Sequence, residues 1–173
     1  TKLVKGDSPN IVFAIDVSGS AGERTVDWTT TDLNTFANGS YSILDMELAT
    51  AIALSEQLVL QGRGNSANIG VVLWNTDGSF LDMNPSEPGV QLYTTALADN
   101  NDIGIADIKE VLNINSPGGG TNFTPGLVAA KGVLDSLSGS ANLIFMSDGF
   151  GGVDETTVSD IREAGVNITA FGI

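Results

Sequence analysis

Asn10-Ile11-Val12-Phe13-Ala14-Ile15-Asp16-Val17-Ser18-Gly19-Ser20 begins as a short apolar, β-branched run and stops abruptly at an acid. An apolar run of this length, without polar alternation, is the pattern of a strand buried on both faces. Similar runs recur at residues 69–74 (IGVVLW), 142–146 (NLIFM) and 166–171 (VNITAF), each preceded or followed by Gly, Asn or Asp. Helical spacing lies between them. Leu48, Ala51, Ile52, Leu58 and Val59 share one face of a helix predicted over about 45–61, which Gly62 and Gly64 stop. A second helix is predicted to start with Thr124 as cap and Pro125 in its first turn, and it carries Leu127, Ala130, Leu134 and Leu137. Ile105, Ile108 and Leu112 mark a shorter helix, and Asp154 caps a last one that buries Val158 and Ile161 and ends at Gly165.

Buried strands that alternate with amphipathic helices imply an open, doubly wound α/β domain, with a mostly parallel sheet covered by helices on both faces. Residues 80–83 add one antiparallel edge strand after a turn at 75–78. The 173 residues are an ordinary length for one domain, and 42% hydrophobic residues suffice for a continuous core. The least regular stretches, 21–44 and 84–102, are rich in turn formers, and neither has the composition of a linker.

Composition narrows the chemistry. Twenty-one acidic against seven basic residues give a formal charge of −14, which disfavours nucleic acid and anionic lipid as partners and favours cations. The chain has no Cys and no His, so disulfides, thiolate sites, the commonest zinc ligand and the commonest general base are all absent. Any metal must be held by oxygen. No apolar run approaches the roughly twenty residues of a membrane-spanning helix, so direct membrane insertion is not expected. A cysteine-free, lysine-poor surface rich in Asp, Asn, Gly and Thr suits an extracellular or cell-surface setting.

Asp16, Ser18 and Ser20 follow directly on the first predicted strand, at the carboxyl end where open α/β sheets bind ligands. Alternate residues of an extended segment project to one side, so one carboxylate and two hydroxyls can face one point. Two further segments end in matching places: Gly118-Gly119-Gly120-Thr121 before a helix, and Met146-Ser147-Asp148-Gly149 after a strand. Five oxygen ligands or water-holders, two of them carboxylates, suit Mg²⁺, with Ca²⁺ or Mn²⁺ as alternatives.

With these three loops in order, the sequence resembles the von Willebrand factor A and integrin I-domain family, whose metal-ion-dependent adhesion site is Asp-x-Ser-x-Ser with a distant Thr and Asp. The resemblance runs through NIVFAIDVSGS, IGVVLWN, PGGGTNFTPGL, LIFMSDG and VNITAFGI. It implies a metal set of Asp16, Ser18, Ser20, Thr121 and Asp148, in which the hydroxyls bind the ion directly and the carboxylates often act through water. It also implies a non-enzymatic adhesion module that recognises a carboxylate on a protein, peptide or glycan partner, in the setting of a large bacterial surface adhesin. Two departures stand out. Residues 21–44 form an inserted segment on the metal-bearing rim, and the helix, strand and final helix with which the family usually continues are not within this sequence, which ends at Ile173.

Plainer readings stand beside these. Asp16, Ser18 and Ser20 also fit a cap or turn. Thr124 competes with Thr121 for the second loop but is better explained as a helix cap. Asp99-Asn100-Asn101-Asp102 offers oxygens for Ca²⁺ and equally reads as a solvated turn. Asp77 belongs to a hairpin turn, Trp28 either contacts a ligand or pins its loop, and Trp74 is expected in the core. The glycine run at 118–120 lacks the Gly-Lys-Ser/Thr of a phosphate loop, and without His no hydrolase triad of the usual form can be assembled. Two other functions remain open: a structural extender whose ion only ties loops together, and a metal-dependent hydrolase with an ion-bound water.

Overall fold

The computed structural model describes residues 10–23, 42–113, 117–149 and 151–172. Of the inserted segment expected at about 21–44, residues 24–41, with Trp28, lie outside the described residues. The order of elements is β1 (Asn10–Asp16), α1 (Ile43–Leu60), β2 (Asn68–Trp74), β3 (Gly78–Phe80), β4 (Thr94–Thr95), α2 (Asp107–Val111), α3 (Phe123–Ser136), β5 (Ala141–Ser147), α4 (Glu155–Glu163) and β6 (Asn167–Gly172).

The four apolar runs form the parallel part of the sheet, in the order β2-β1-β5-β6, with β3 and β4 antiparallel against β2. β1 is central, and all seven of its residues are buried. Because side chains alternate across a strand, β1 feeds two cores. Ile11, Phe13 and Ile15 pack with Leu44, Leu48, Ala51 and Leu58 of α1 on one face. Val12 and Ala14 pack on the other with Leu127, Ala130 and Val133 of α3 and with Ile161 of α4. This is the doubly wound α/β architecture, with helices on both faces of a mostly parallel sheet. Among the described residues no helix is long and apolar enough to cross a membrane.

The expected elements are present with shifted ends. α1 starts at Ile43, ahead of the expected 45, because Ser42 and Asp45 form a reciprocal cap: each side chain accepts the other's backbone N–H. α3 is capped by Asn122, whose side chain accepts the Thr124 N–H, so Thr124 is not the cap. Pro125 keeps its place in the first turn, where its missing N–H costs nothing. The antiparallel edge strand lies at Gly78–Phe80, so it begins within the expected 75–78 turn and overlaps the expected 80–83 only at Phe80, and the short β4 carries no apolar run by which to be found.

The winding sets the location of a site. From β1 the chain crosses to β2 on one side, and only later returns to β5 on the other side of β1. The reversal leaves a crevice beyond the carboxyl ends of β1 and β5, the place where open α/β sheets bind ligands.

Candidate metal centre

Asp16 ends β1 and is completely buried. Its Oδ1 accepts the Ser18 N–H at 2.8 Å, and its Oδ2 accepts the Ser147 hydroxyl at 3.0 Å. Ser18 is buried as well, whereas Gly19 is exposed and opens a short 3-10 turn, Ser20–Gly22, pinned to the core by the buried Ala21. The Ser18 and Ser20 hydroxyls lie 3.2 Å apart, and Ser20 Oγ donates to Asp148 Oδ1 at 3.1 Å. The cap of that turn is Gly19, with no side-chain cap hydrogen bond, so neither serine is spent on capping it.

The glycine loop is laid against this first loop by its backbone. Gly118 N–H donates to the Val17 carbonyl at 2.8 Å, and Gly19 N–H donates to the Gly119 carbonyl at 3.0 Å. Gly119 has φ +87°, and a β-carbon there would stand 3.0 Å from Asn75 Nδ2, so conformation and space both call for glycine. Thr121 is half-buried beside Gly149 of the third loop: a β-carbon built on Gly149 would be 3.5 Å from Thr121 Cγ2 and 3.8 Å from its Oγ1.

The structure thus links Asp16, Ser18, Ser20 and Asp148 in one hydrogen-bonded chain and brings the loop of Thr121 alongside it. Thr124 is engaged elsewhere, its hydroxyl accepting the Asp154 N–H at 3.1 Å. The 99–102 cluster is engaged elsewhere: Asp99 accepts the Ile103 and Gly104 N–H groups, while the buried Asp107 at the start of α2 accepts the Asn100 N–H.

Three residues that the sequence pattern did not single out hold these loops. Ser147 joins β5 to Asp16 and also accepts the Gly149 N–H at 3.1 Å. Asn75, at the end of β2, donates to the Gly118 carbonyl at 2.8 Å and accepts the Asn122 N–H at 3.0 Å, gripping the Thr121 loop from both flanks. Glu47 of α1 is completely buried, and its Oε2 accepts the Asp16 N–H at 2.8 Å. A signal for Glu47 does exist in the sequence. It lies three residues after Leu44 and four before Ala51, on the buried stripe of the helix, where an unpaired Glu is rare.

Burial dominates the electrostatics. It holds the Asp16 carboxyl above its ordinary range, against the hydrogen bonds from Ser18 and Ser147, with the Asp148 charge adding to the rise. Burial likewise pushes Glu47 up to about 9, with Asp16 and Asp148 as further contributors. Among the described residues no cation acts on either acid. The Lys109–Glu56 and Lys131–Asp135 ion pairs involve none of the site's residues.

A hard divalent cation fits this donor set. The converging side-chain atoms are oxygens, two of them carboxylates and the rest neutral hydroxyls, and among the described residues no basic side chain acts on Asp16. Among the described residues no group of three or more acidic side chains is arranged to hold an ion, so the hydroxyls would have to supply part of the coordination.

No protein-family model matches the chain, and no curated protein does at a significant level. Solved structures do match it in fold. The PilB minor pilin from Streptococcus sanguinis shares 19% identity over 84% of this chain and 31% of its own, with a TM-score of 0.56. The pilus adhesin SpaC from Lactobacillus rhamnosus GG shares 14% identity over 99% of this chain and 25% of its own, with a TM-score of 0.61. The vWF domain of the type V pili tip protein Mfa5 from Porphyromonas gingivalis shares 19% identity over 83% of this chain and 38% of that one, with a TM-score of 0.50. The chain thus spans between a quarter and two fifths of each of these structures. At such identities the likeness is one of fold, and the fold is that of a von Willebrand factor A-like α/β domain.

Proposed function

We propose that this chain is a divalent-cation-dependent recognition module that acts in adhesion at a cell surface and catalyses no reaction. The observation that carries the reading is the convergence of Asp16, Ser18, Ser20 and Asp148 at the carboxyl ends of β1 and β5, where the Ser18 N–H donates to Asp16 Oδ1, the Ser18 and Ser20 hydroxyls lie together and Ser20 Oγ donates to Asp148 Oδ1. In this reading Ser18, Ser20 and Thr121 bind Mg²⁺, Mn²⁺ or Ca²⁺ through their hydroxyls. Asp16 and Asp148 bind it directly or hold its waters. An octahedral ion has six positions, so one can stay open to a carboxylate from a protein, peptide or glycan partner. The three similar structures described above are a minor pilin, a pilus adhesin and a pilus tip protein, which agrees with an adhesive role outside the cell.

Isothermal titration with Mg²⁺, Mn²⁺ and Ca²⁺, comparing the wild-type chain with Asp148→Ala, tests the reading. One site in the wild type, lost in the variant, supports it. Equal heats from the two proteins place the ion elsewhere.

A further inference from the structure

Glu47 stands out among the buried groups of the molecule. It is a fully buried acid on the apolar stripe of α1, its Oε2 takes the Asp16 N–H at 2.8 Å, and its Oε1 has no hydrogen-bond partner although it is sealed from solvent. A buried, incompletely satisfied carboxylate is costly for a fold, and an apolar residue would fill the stripe at less expense. Its one contact explains where it sits. The Asp16 N–H lies at the last residue of the central strand, beyond which the chain must turn away from the sheet to present Ser18 and Ser20. Without an acceptor from α1 that buried donor would be left unpaired, and the end of the strand would be held only by the Val17 N–H on the Trp74 carbonyl and by the bonds of Ser18 and Ser147 to the Asp16 carboxylate.

We infer that Glu47 is a positioning residue for the candidate centre: it fixes the backbone of Asp16 through the Oε2 hydrogen bond, and so aims the Asp16 carboxylate at the point shared with Ser18, Ser20 and Asp148. The inference rests on the ion-binding reading proposed above. The inference does not make Glu47 a ligand: its Oε2 serves the main chain of Asp16, and among the described residues Glu47, Asp16 and Asp148 do not form a group of acids that could hold an ion. The hydrogen bond needs an acceptor at the reach of a Glu side chain, but it does not need a charge.

Three variants separate reach from the ionisable carboxyl. Glu47→Gln keeps the reach and an acceptor oxygen and cannot ionise. Glu47→Asp keeps a carboxyl and withdraws the acceptor by one methylene. Glu47→Met keeps the volume and removes the acceptor. With folding checked by circular dichroism, Mn²⁺ affinity is read by isothermal titration, and the Asp16 amide is followed by ¹⁵N-resolved NMR. Glu47→Gln should bind Mn²⁺ within about three-fold of the wild type and keep the Asp16 amide protected from exchange. Glu47→Asp and Glu47→Met should each lose at least ten-fold in affinity and expose that amide. If Met does not fold at this position, the Gln and Asp pair decides. Wild-type affinity in Glu47→Asp or Glu47→Met overturns the inference, as does a loss in Glu47→Gln equal to theirs, which would assign the effect to the carboxyl group itself and not to its reach. Absence of Mn²⁺ binding in the wild type would instead remove the metal reading on which the inference stands.

Discussion

Ser147 Oγ donates to Asp16 Oδ2 at 3.0 Å, tying the end of β5 to the end of β1 at the point where the sheet reverses its winding. Both residues are buried, so the bond is shielded from water and from competing solvent donors. Ser147 also accepts the Gly149 N–H, which makes it the pivot between strand and third loop.

Ser147→Ala should therefore lower stability by about 1–3 kcal/mol, the usual cost of leaving a buried acceptor without its donor. It should also weaken Mn²⁺ binding several-fold, since the Gly149 N–H next to Asp148 loses its acceptor too. Urea unfolding and ion titration of the same preparation check both effects. A variant with unchanged affinity and unchanged midpoint would show that the strand ends are held by the sheet alone.

Asp16→Ala and Asp148→Ala should each abolish the rise in melting temperature caused by divalent ions. Binding to the native state alone stabilises it by roughly 2.7 kcal/mol at a free ion concentration of 100 times Kd, which for a domain of this size is about 5–10 °C. Differential scanning fluorimetry with Mg²⁺ or with EDTA reads the effect. Retention of the wild-type shift in both variants would move the ion to another part of the chain.

The pH dependence of the ion-free chain follows from two acids raised by burial. Glu47 moves from an ordinary 4.5 up to about 9, and Asp16 moves in the same direction. A raised carboxyl binds its proton more tightly when folded, so its contribution is complete below the ordinary value and is lost as pH rises through the folded value. Stability in EDTA should fall between about pH 5 and pH 9, by up to ~1.4 kcal/mol per pH unit for a single group. Glu47→Gln, which cannot ionise, should flatten that slope in urea melts at pH 5, 7 and 9. An equal slope in the variant would assign the dependence to other groups.

Gly78 opens β3 where the start of α3 packs against it, and a methyl there would overlap the Pro125 carbonyl. Backbone cannot give way as a side-chain tip can, so Gly78→Ala should destabilise by about 1–3 kcal/mol. Gly152 has no atom within 4 Å of a built β-carbon, and Gly152→Ala should stay within about 0.5 kcal/mol of wild type. Denaturant midpoints of the two proteins compare the cases directly.

The parallel core was legible because β1, β2 and β5 are buried on both faces and so are written as unbroken apolar runs. The first and third loops were legible for the same reason, since one run ends at Asp16 and the other at Ser147 just before Asp148. Caps were less so. Asn122 and Thr124 are both competent caps, and only the backbone geometry at Asn122, extended with φ −138°, chooses between them. Ser147, Asn75 and Glu47 act through contacts with residues 131, 43 and 31 positions away along the chain. Local periodicity carries no information on such pairings. Glu47 left a trace only as an acid on an apolar stripe, past the first turn of α1 where Asp45 already serves the cap.

The most direct test of the account is a crystal of the chain grown with Mn²⁺ and measured for anomalous scattering. The account predicts one strong peak in the β1/β5 crevice, about 2.0–2.3 Å from the hydroxyls of Ser18, Ser20 and Thr121 if the ion keeps ordinary oxygen distances. Asp16 and Asp148 should lie in contact with it or one water away, and one position should be filled by solvent or by a carboxylate from a neighbouring molecule. A map with no peak in that crevice at saturating Mn²⁺, or one in which this chain fills all six positions, would contradict it.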